Sequence, residues 1–352
     1  MRDIRELVTD REFMLKRGVP GAAVAVLFIV LLWIFWWPNS FSNPDERIVT
    51  VSRGTTFNAV VESLDVHGVI YSTAAIKLAG RLLGLTKELK VGRYYFSSGV
   101  SNFSILRDLR DGASRHLIPV SIPEGIRMRT IAHRFARELG VDSARIMNLC
   151  TDTAFVQRVG VPGNTLEGFL LPDTYLFQWQ TDEREIVERL VSAFKEFYVD
   201  SLIERQKEMG MTTEEVVTFA SIVEGEAQID SERVIIAGVY YNRLKKRMRL
   251  EADPTIQYIL PDGPRRLLYR DLEIDSPYNT YRHYGLPPGP INNPGRKAIL
   301  AVLYPAHHRY LYFVADGHGG HRFSTSYSEH RRAVRMYRKT RREMQREANH
   351  GG

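Results

Sequence analysis

The sequence predicts an α+β protein with a single N-terminal transmembrane helix, a small strand-and-helix module and a larger domain of mixed helices and strands. Three observations predict this class. Residues 19–37 form an uncharged apolar run, strand-like segments alternate with amphipathic helices after it, and the second half combines apolar helices with stretches rich in Pro, Gly, Asn and Tyr. With 352 residues the chain has room for two or three domains of about 100–200 residues each.

The apolar run 19–37 has the length of one bilayer crossing, roughly 20 residues. Arg11, Lys16 and Arg17 precede it and no charge directly follows it, so residues 1–18 are expected inside the cell and the rest outside the cytoplasm. A cleaved signal peptide is the alternative. The run is long for one and ends in Trp-Trp-Pro without a small-residue cleavage site, which favours a retained single-pass anchor in the cytoplasmic (inner) membrane.

The cysteine count and the charge distribution limit the possible partners. Cys150 is the single cysteine, so the chain has no internal disulfide. Much of the net charge of +7 lies in the C-terminal tail, 331–352, which has eight basic and two acidic side chains. A basic helix is typical of nucleic-acid binding. An exported domain meets little nucleic acid, so we expect a solvated tail and no nucleic-acid partner.

After a linker at 38–47, residues 48–115 predict a compact module. A strand and glycine turn at 49–54 precede apolar residues at helical spacing. The stretch 48–96 resembles a LysM module, and this resemblance implies binding to glycans that contain N-acetylglucosamine. The aromatic run 94–96 suits stacking on sugar rings, but an alternating strand packs aromatic rings equally well. We therefore expect at least one member of the run to be packed inside: Tyr94, Tyr95 or Phe96.

A buried helix is predicted at 213–226. Thr212 and Glu215 have the spacing of a capping box, and residues 216–223 are apolar on nearly every side. Glu224 continues an apolar stripe of this helix. Burial without a cationic partner would raise the pKa of its carboxyl group, as a general acid requires.

The alternative for Glu224 is a structural ion pair. Arg233 and Arg243 both lie in the next helix, and either can supply the cation. The sequence alone leaves the acid and the ion pair open.

No second acid is established by the sequence. Glu226 lies two residues beyond Glu224, and side chains at that spacing point to different sides of a helix. The two cannot face each other across one bond as the carboxylates of a paired glycosidase do, at about 5–10 Å. A second acid would come from Glu251, Asp253 or Asp316, each of which suits a turn or helix cap equally well.

Two later segments combine rigid turns with polar side chains. Residues 278–281 and 285–295 are rich in Asn, Pro and Gly, which suits sugar hydroxyl and acetamido groups but also suits an elaborate structural loop. His318, His321 and His330 suggest a metal, yet three glycines around them describe a flexible turn, so no metal is expected. Glycine-rich nucleotide loops and Gly-x-Ser-x-Gly elbows do not occur in the sequence.

Several segments together carry a family resemblance, which extends from 48 to 330. The chain resembles the endolytic murein transglycosylase family, also called YceG-like, with a catalytic domain expected at 116–330. The matching segments are 220–226, 237–244, 248–255, 278–281, 285–291 and 312–316, with weaker matches at 123–125 and 171–175.

The resemblance implies cleavage of peptidoglycan strands between N-acetylmuramic acid and N-acetylglucosamine, with 1,6-anhydro ends and no cofactor. Glu224, as the first Glu of the Ser-Ile-Val-Glu motif, is the implied acid and then base. It also implies an end to strand elongation and peptidoglycan synthases as partners. The alternatives are a muramidase-type hydrolase and a non-catalytic glycan-binding scaffold. The expected substrate contacts are Glu226, Asn242, Arg243, Asp253, Thr255, Tyr278, Asn279 and Thr280.

Overall fold

The computed structural model describes residues 23–40, 47–86, 89–112, 115–261 and 263–350. Its helices and short strands confirm the α+β class. The chain divides into two compact units. The N-terminal unit is Met1–Ile118 with Leu176–Gln180, and the C-terminal unit is Pro119–Tyr175 with Thr181–Gly352.

The described strands form two-stranded sheets that pair β1 with β4, β2 with β3, β5 with β6 and β7 with β8. Their bounds are β1 Pro38–Asn39, β2 Arg47–Val51, β3 Gly92–Phe96, β4 Val100–Ser101, β5 Ile118–Ser121, β6 Thr174–Phe177, β7 Tyr312–Ala315 and β8 His321–Ser324. The helices are α1 23–36, α2 Phe57–Val66, α3 Thr73–Leu82, α4 Asn102–Asp111, α5 Met128–Leu139, α6 Ser143–Thr151, α7 Thr153–Val159, α8 Glu183–Phe197, α9 Asp200–Glu208, α10 Thr213–Glu226, α11 Arg233–Lys245, α12 Asp253–Ile259, α13 Arg296–Leu303 and α14 Tyr327–His350.

In the N-terminal unit, β2, α2, α3 and β3 follow one another as strand, helix, helix, strand. The two strands pair antiparallel, with Arg47 opposite Phe96 and Val51 opposite Gly92. Both helices begin at a capping hydroxyl, because the side chains of Thr56 and Ser72 accept the amide hydrogen three residues on.

The aromatic run in β3 supplies the core of this unit. Tyr94 and Phe96 are 0% and 1% exposed, and their near-parallel rings lie 6.1 Å apart. Tyr95 points the other way, with its ring 4.3 Å from that of His116. The expectation that at least one of these aromatic residues packs inside is confirmed, and Tyr95 is the member left at the surface of the strand.

Among the helices of the described residues, none is long and apolar enough to cross a membrane. The predicted span at 19–37 overlaps α1, but its first four residues lie outside the described part of the chain, as do residues 1–18 and the linker residues 41–46.

Helix α10 forms the centre of the C-terminal unit and confirms the predicted buried helix. The Thr212 hydroxyl accepts the amide hydrogen of Glu215, and the Glu215 carboxylate accepts the amide hydrogen of Thr212, which completes the capping box. All eight residues from 216 to 223 are buried. Helix α10 packs against α11, α12 and α13.

A serine in α10 fastens the loop at 285–295 to the helix. The Ser221 hydroxyl accepts the amide hydrogen of Ile291 at 3.0 Å, and the Asn292 side chain donates to the Ser221 carbonyl at 2.8 Å. The Asn293 amide oxygen accepts the amide hydrogens of Gly168 and Leu170. For Asn292 and Asn293 the structural-loop interpretation therefore holds, because both side chains are buried and bonded to the protein.

The basic tail continues α14, which packs against β7 and β8. Ala333 is buried there, whereas Arg331, Arg332, Arg335 and Arg338 are exposed. This agrees with a solvated basic face on a docked helix.

Candidate active site

Two cavities adjoin the C-terminal end of α10 and share Glu226 and Asp253 in their walls. We call them the His321 cavity, of about 370 Å³, and the Arg127 cavity, of about 610 Å³. Adjoining cavities with common acidic residues suit an extended ligand that passes those residues. The His321 cavity is lined by Glu226, Tyr240, Arg243, Leu250, Glu251, Asp253, Tyr281, Phe313, Val314, Ala315, His321 and His330. The Arg127 cavity is lined by Gly125, Ile126, Arg127, Arg129, Thr130, Gly225, Glu226, Asp253, Pro254, Gln257, Tyr258, Pro261, Gly263, Pro264, Ile291 and Asn292.

Glu226, the last residue of α10, carries a carboxyl group in an environment that favours its protonated form. Burial raises the pKa of Glu226 from 4.5 to about 7, and the nearby Asp253 charge acts in the same direction. Hydrogen bonds to the carboxyl group from the Tyr240 hydroxyl, at 2.9 Å, and from the Asp253 amide lower the pKa of Glu226 and offset part of this rise. At neutral pH the group therefore exists in both protonation states, as a group that gives up a proton and takes one back must.

Glu224 lies on a different side of α10 and contributes to neither cavity. One of its carboxylate oxygens accepts from the Arg233 guanidinium at 2.8 Å, and the other accepts from the amide of Gly295, the N-cap of α13, at 3.0 Å. Its side chain is 5% exposed. Glu224 thus links α10 to the start of α11 and to the N-terminus of α13. A negative charge at the N-terminus of α13 is also favoured by the dipole of that helix.

The Arg233 guanidinium gathers further acidic groups around Glu224. It contacts Glu124 at 3.5 Å and also pairs with Asp230, which in turn binds Lys297. Burial raises the pKa of Glu124, and the Glu224 charge adds to that rise. Of the two cations that the sequence left open, Arg233 is therefore the partner of Glu224.

Arg243 lies instead on the wall of the His321 cavity. Its guanidinium donates to the carbonyls of Leu311 and Leu250, both at 2.7 Å, and contacts Glu251 at 3.4 Å. Arg243 therefore fixes the segments that frame the cavity, and Glu251 contacts this arginine at the same wall.

Asp253, at the start of α12, is an exposed carboxylate that lines both cavities. The Tyr281 hydroxyl donates to it at 2.5 Å. Burial and this bond raise the pKa of Tyr281, so Tyr281 stays a donor at neutral pH. Asp253 is thus held in place beside the acid Glu226.

Four of the residues expected to bind substrate are bonded to the protein instead. The hydroxyls of Thr255 and Thr280 lie 2.9 Å apart and are buried. The Asn279 side chain is fully buried and donates to the carbonyls of Leu272 and Ile274. In this structure these side chains are bonded within the protein and have almost no exposed surface, and their contact with substrate stays a prediction. Asn242 is likewise engaged, because its side chain donates to the carbonyls of His308 and Tyr310.

Tyr278 lines neither cavity, but its ring lies 4.8 Å from that of Tyr258. Tyr258 lines the Arg127 cavity and carries the Arg127 guanidinium over its ring at 4.5 Å. Of the nine predicted site residues, the structure brings together Glu226, Arg243 and Asp253 at the cavities, and Tyr278 contacts the lining residue Tyr258.

Sequence reasoning missed three residues at this site, Tyr240, Tyr281 and Glu232. A tyrosine buried in a helix needs a partner for its hydroxyl, and this requirement is the sequence signal that points to Tyr240. Glu232 holds His321, which was considered only as a metal ligand. Among the described residues, no group of three or more His, Cys, Asp or Glu is placed to hold a metal ion.

A family model described as YceG-like matches residues 49–336. The chain belongs to the YceG-like family. A crystal structure of a putative YceG-like protein from Listeria monocytogenes has a TM-score of 0.60 and 30% identity, and the match covers 82% of this chain and 99% of that one. The fold is therefore that of the YceG-like family.

Curated relatives of this YceG-like chain have one name in common. A Bacillus subtilis protein named endolytic murein transglycosylase is 31% identical over 303 residues, which cover 82% of this chain and 84% of the relative. A Streptococcus pneumoniae protein of the same name is 27% identical over 306 residues, and the match covers 77% of this chain and 55% of the relative. The resemblance that the sequence motifs predicted is thus confirmed.

Proposed function

We propose that this protein is an endolytic lytic transglycosylase that cleaves peptidoglycan strands between N-acetylmuramic acid and N-acetylglucosamine. One observation carries the chemistry, namely a carboxyl group with a pKa of about 7, Glu226, where two cavities adjoin. The shared name of the relatives supports the substrate class. The reaction leaves a 1,6-anhydro ring on the muramic sugar and uses no water.

The protonated Glu226 carboxyl donates its proton to the glycosidic oxygen as the bond from that oxygen to C1 breaks. The C6 hydroxyl of the muramic sugar then closes on C1, and its proton must pass to a base. Asp253, held by Tyr281, keeps a negative charge beside the site, where it stabilises the positive charge that develops at C1.

The geometry favours Glu226 over Glu224, the sequence-based choice, for the role of the acid. Both oxygens of Glu224 are taken by the Arg233 guanidinium and the Gly295 amide, and neither cavity reaches it. Glu226 accepts a hydrogen bond from Tyr240 and lines both cavities. Glu224 accordingly holds the helices that position Glu226.

The test compares wild type with Glu226→Gln and Glu224→Gln on purified glycan strands, with product masses as the readout. We expect wild type to leave anhydro ends, Glu226→Gln to cut no glycan, and Glu224→Gln to retain cleavage in its folded fraction. Product ends that carry an added water would show that the protein is a hydrolase and not a lytic transglycosylase. No cleavage by the wild type would favour the glycan-binding scaffold.

The N-terminal half is proposed to hold the enzyme at its substrate. The strand, helix, helix, strand order of 47–96 supports a LysM-like glycan-binding module, with Tyr95 as the aromatic ring left for a sugar. The uncharged run 19–37 supports a single-pass anchor with the larger domains outside the cytoplasm. That location places the site beside newly made strands, where cleavage ends their elongation and peptidoglycan synthases are the natural partners.

A further inference from the structure

A buried carboxylate and histidine pair forms part of the wall of the His321 cavity. The Nδ1 atom of His321 lies 2.6 Å from the carboxylate of Glu232, and the second oxygen of Glu232 accepts the His321 backbone amide at 2.8 Å. The side chains are 9% and 13% exposed. Two bonds to one carboxylate fix both the position and the orientation of the imidazole ring.

The orientation of the pair determines which nitrogen of His321 carries the proton. A carboxylate only accepts hydrogen bonds, so the neutral ring holds its hydrogen on Nδ1 and leaves the Nε2 lone pair free. Carboxylates that hold a histidine in this way turn it into a general base in hydrolases of several folds. Glu232 also stabilises the imidazolium that forms when Nε2 takes up a proton.

Aromatic contacts link this pair to the acid through one ring. Phe313 lies edge-on to His321 at 5.3 Å and edge-on to Tyr240 at 5.7 Å, and the Tyr240 hydroxyl bonds Glu226. His321, Phe313 and Glu226 line the same cavity. A sugar in the His321 cavity has a proton donor and a proton acceptor within one wall.

We propose that His321, oriented by Glu232, is the base that removes the proton from the C6 hydroxyl of the muramic sugar. This deepens the proposed function and rests on it. Glu226 gives its proton to the leaving oxygen as the C1 bond to that oxygen breaks. The C6 oxygen bonds C1, and its proton passes to Nε2 of His321. Solvent then returns a proton from the imidazolium to the Glu226 carboxylate, which restores both groups.

A pH profile separates this role from a merely structural one. A general base acts only in its unprotonated form and a general acid only in its protonated form, so two separate groups give turnover an acidic and an alkaline limb. A single group that both gives and takes the proton adds no acidic limb from a second residue. The charged and titratable groups around His321 are Glu232, which bonds it, and Asp316. The same cavity is also lined by Glu226, Tyr240, Arg243, Glu251, Asp253, Tyr281 and His330.

The experiment measures turnover on purified glycan strands from pH 4 to 9 for wild type, His321→Asn and Glu232→Gln. The Asn side chain keeps a donor for Glu232 but has no counterpart of Nε2. We expect a loss of about 100-fold or more near pH 7, a missing acidic limb, and a larger share of hydrolysed ends, because water replaces the unassisted C6 hydroxyl. In Glu232→Gln the Gln side chain no longer fixes which nitrogen of His321 carries the hydrogen, so this variant should also have lower turnover than wild type.

His318→Asn is the matched control, because His318 lies in the same glycine-rich turn, is exposed and lines neither cavity. It should match wild type. Turnover of His321→Asn within about twofold of wild type, or a large loss with an intact acidic limb, overturns the proposal. If His321→Asn does not fold, turnover of Glu232→Gln within about twofold of wild type overturns the proposal. Wild-type protein that leaves no anhydro ends overturns the proposed function as well, so the two failures are distinguishable.

Discussion

The hydroxyl of Tyr240 donates a 2.9 Å hydrogen bond to the carboxyl group of Glu226. The two residues come from α11 and α10, so the packing of these helices sets the environment of the acid. Tyr240 is 1% exposed and cannot turn away to solvent. The bond opposes the effect of burial on Glu226 and keeps the pKa of Glu226 close to neutral rather than higher.

Tyr240→Phe should move the alkaline limb of the activity profile. The hydrogen bond lowers the pKa of Glu226, so its removal raises that pKa. Glu226 in the variant then keeps its proton to higher pH, and the alkaline limb of the activity profile shifts to higher pH. Turnover near pH 6 should stay within about tenfold of wild type, since a hydrogen bond to the protonated carboxyl group contributes about 0.5–1.5 kcal/mol and tenfold corresponds to about 1.4 kcal/mol. A limb that moves downward or stays in place would contradict the role of Tyr240.

Glu226→Gln should reduce cleavage by at least about 100-fold, because a general acid contributes roughly that factor or more. Gln keeps the shape and still accepts from Tyr240, so the thermal unfolding temperature should not fall. Glu224→Gln should show the converse, with reduced stability and a turnover per folded molecule near that of wild type. If instead Glu224→Gln abolishes cleavage and Glu226→Gln retains it, the acid is Glu224.

Glu167 offers a test of buried charge away from the cavities. It is 4% exposed, and burial raises its pKa from 4.5 to about 7, although bonds from the Met128 amide and the Asn293 side chain oppose this. Between pH 4.5 and 7 the folded protein keeps this proton while the unfolded chain loses it. The free energy of unfolding therefore falls as pH rises through that window.

Glu167→Gln should remove this dependence. Both bonds reach one oxygen of Glu167, which the Gln amide oxygen can replace. We expect the variant to gain about 1–3 kcal/mol of unfolding free energy at pH 8 and little at pH 4. Denaturant unfolding at both pH values measures the difference. An equal effect at the two pH values would show that ionisation of Glu167 is not the cause.

Local patterns account for what the sequence predicted well. The capping box at Thr212 and Glu215 and the apolar run after it lie within one helix, so α10 follows from neighbours a few residues apart. The environment of Glu226 does not follow in this way. Burial raises the pKa of Glu226, the bond from Tyr240, fourteen positions on, opposes that rise, and the Asp253 charge at the start of α12 adds to it, so this pKa depends on how three helices pack.

The same limit applies to contacts between residues that are distant in the sequence. Thr255 and Thr280 are 25 positions apart, and only the folded chain shows that their hydroxyls bond each other. Arg233 and Arg243 lie in one helix, and the sequence cannot tell which of them faces Glu224. Packing assigns Arg233 to Glu224 and Arg243 to the cavity wall.

A double-mutant cycle on Glu224 and Arg233 tests the structural ion pair. Arg233→Met leaves the Glu224 carboxylate buried without its cation, which should cost about 3–5 kcal/mol of unfolding free energy. Adding Glu224→Gln removes the unpaired charge, so the double variant should be more stable than Arg233→Met alone. Lys297→Met is the control, because among the described residues Lys297 pairs with the exposed Asp230 of the same cluster, and its loss should change stability by less than about 1 kcal/mol. Purely additive effects of the two changes would show that Glu224 and Arg233 do not act as a pair.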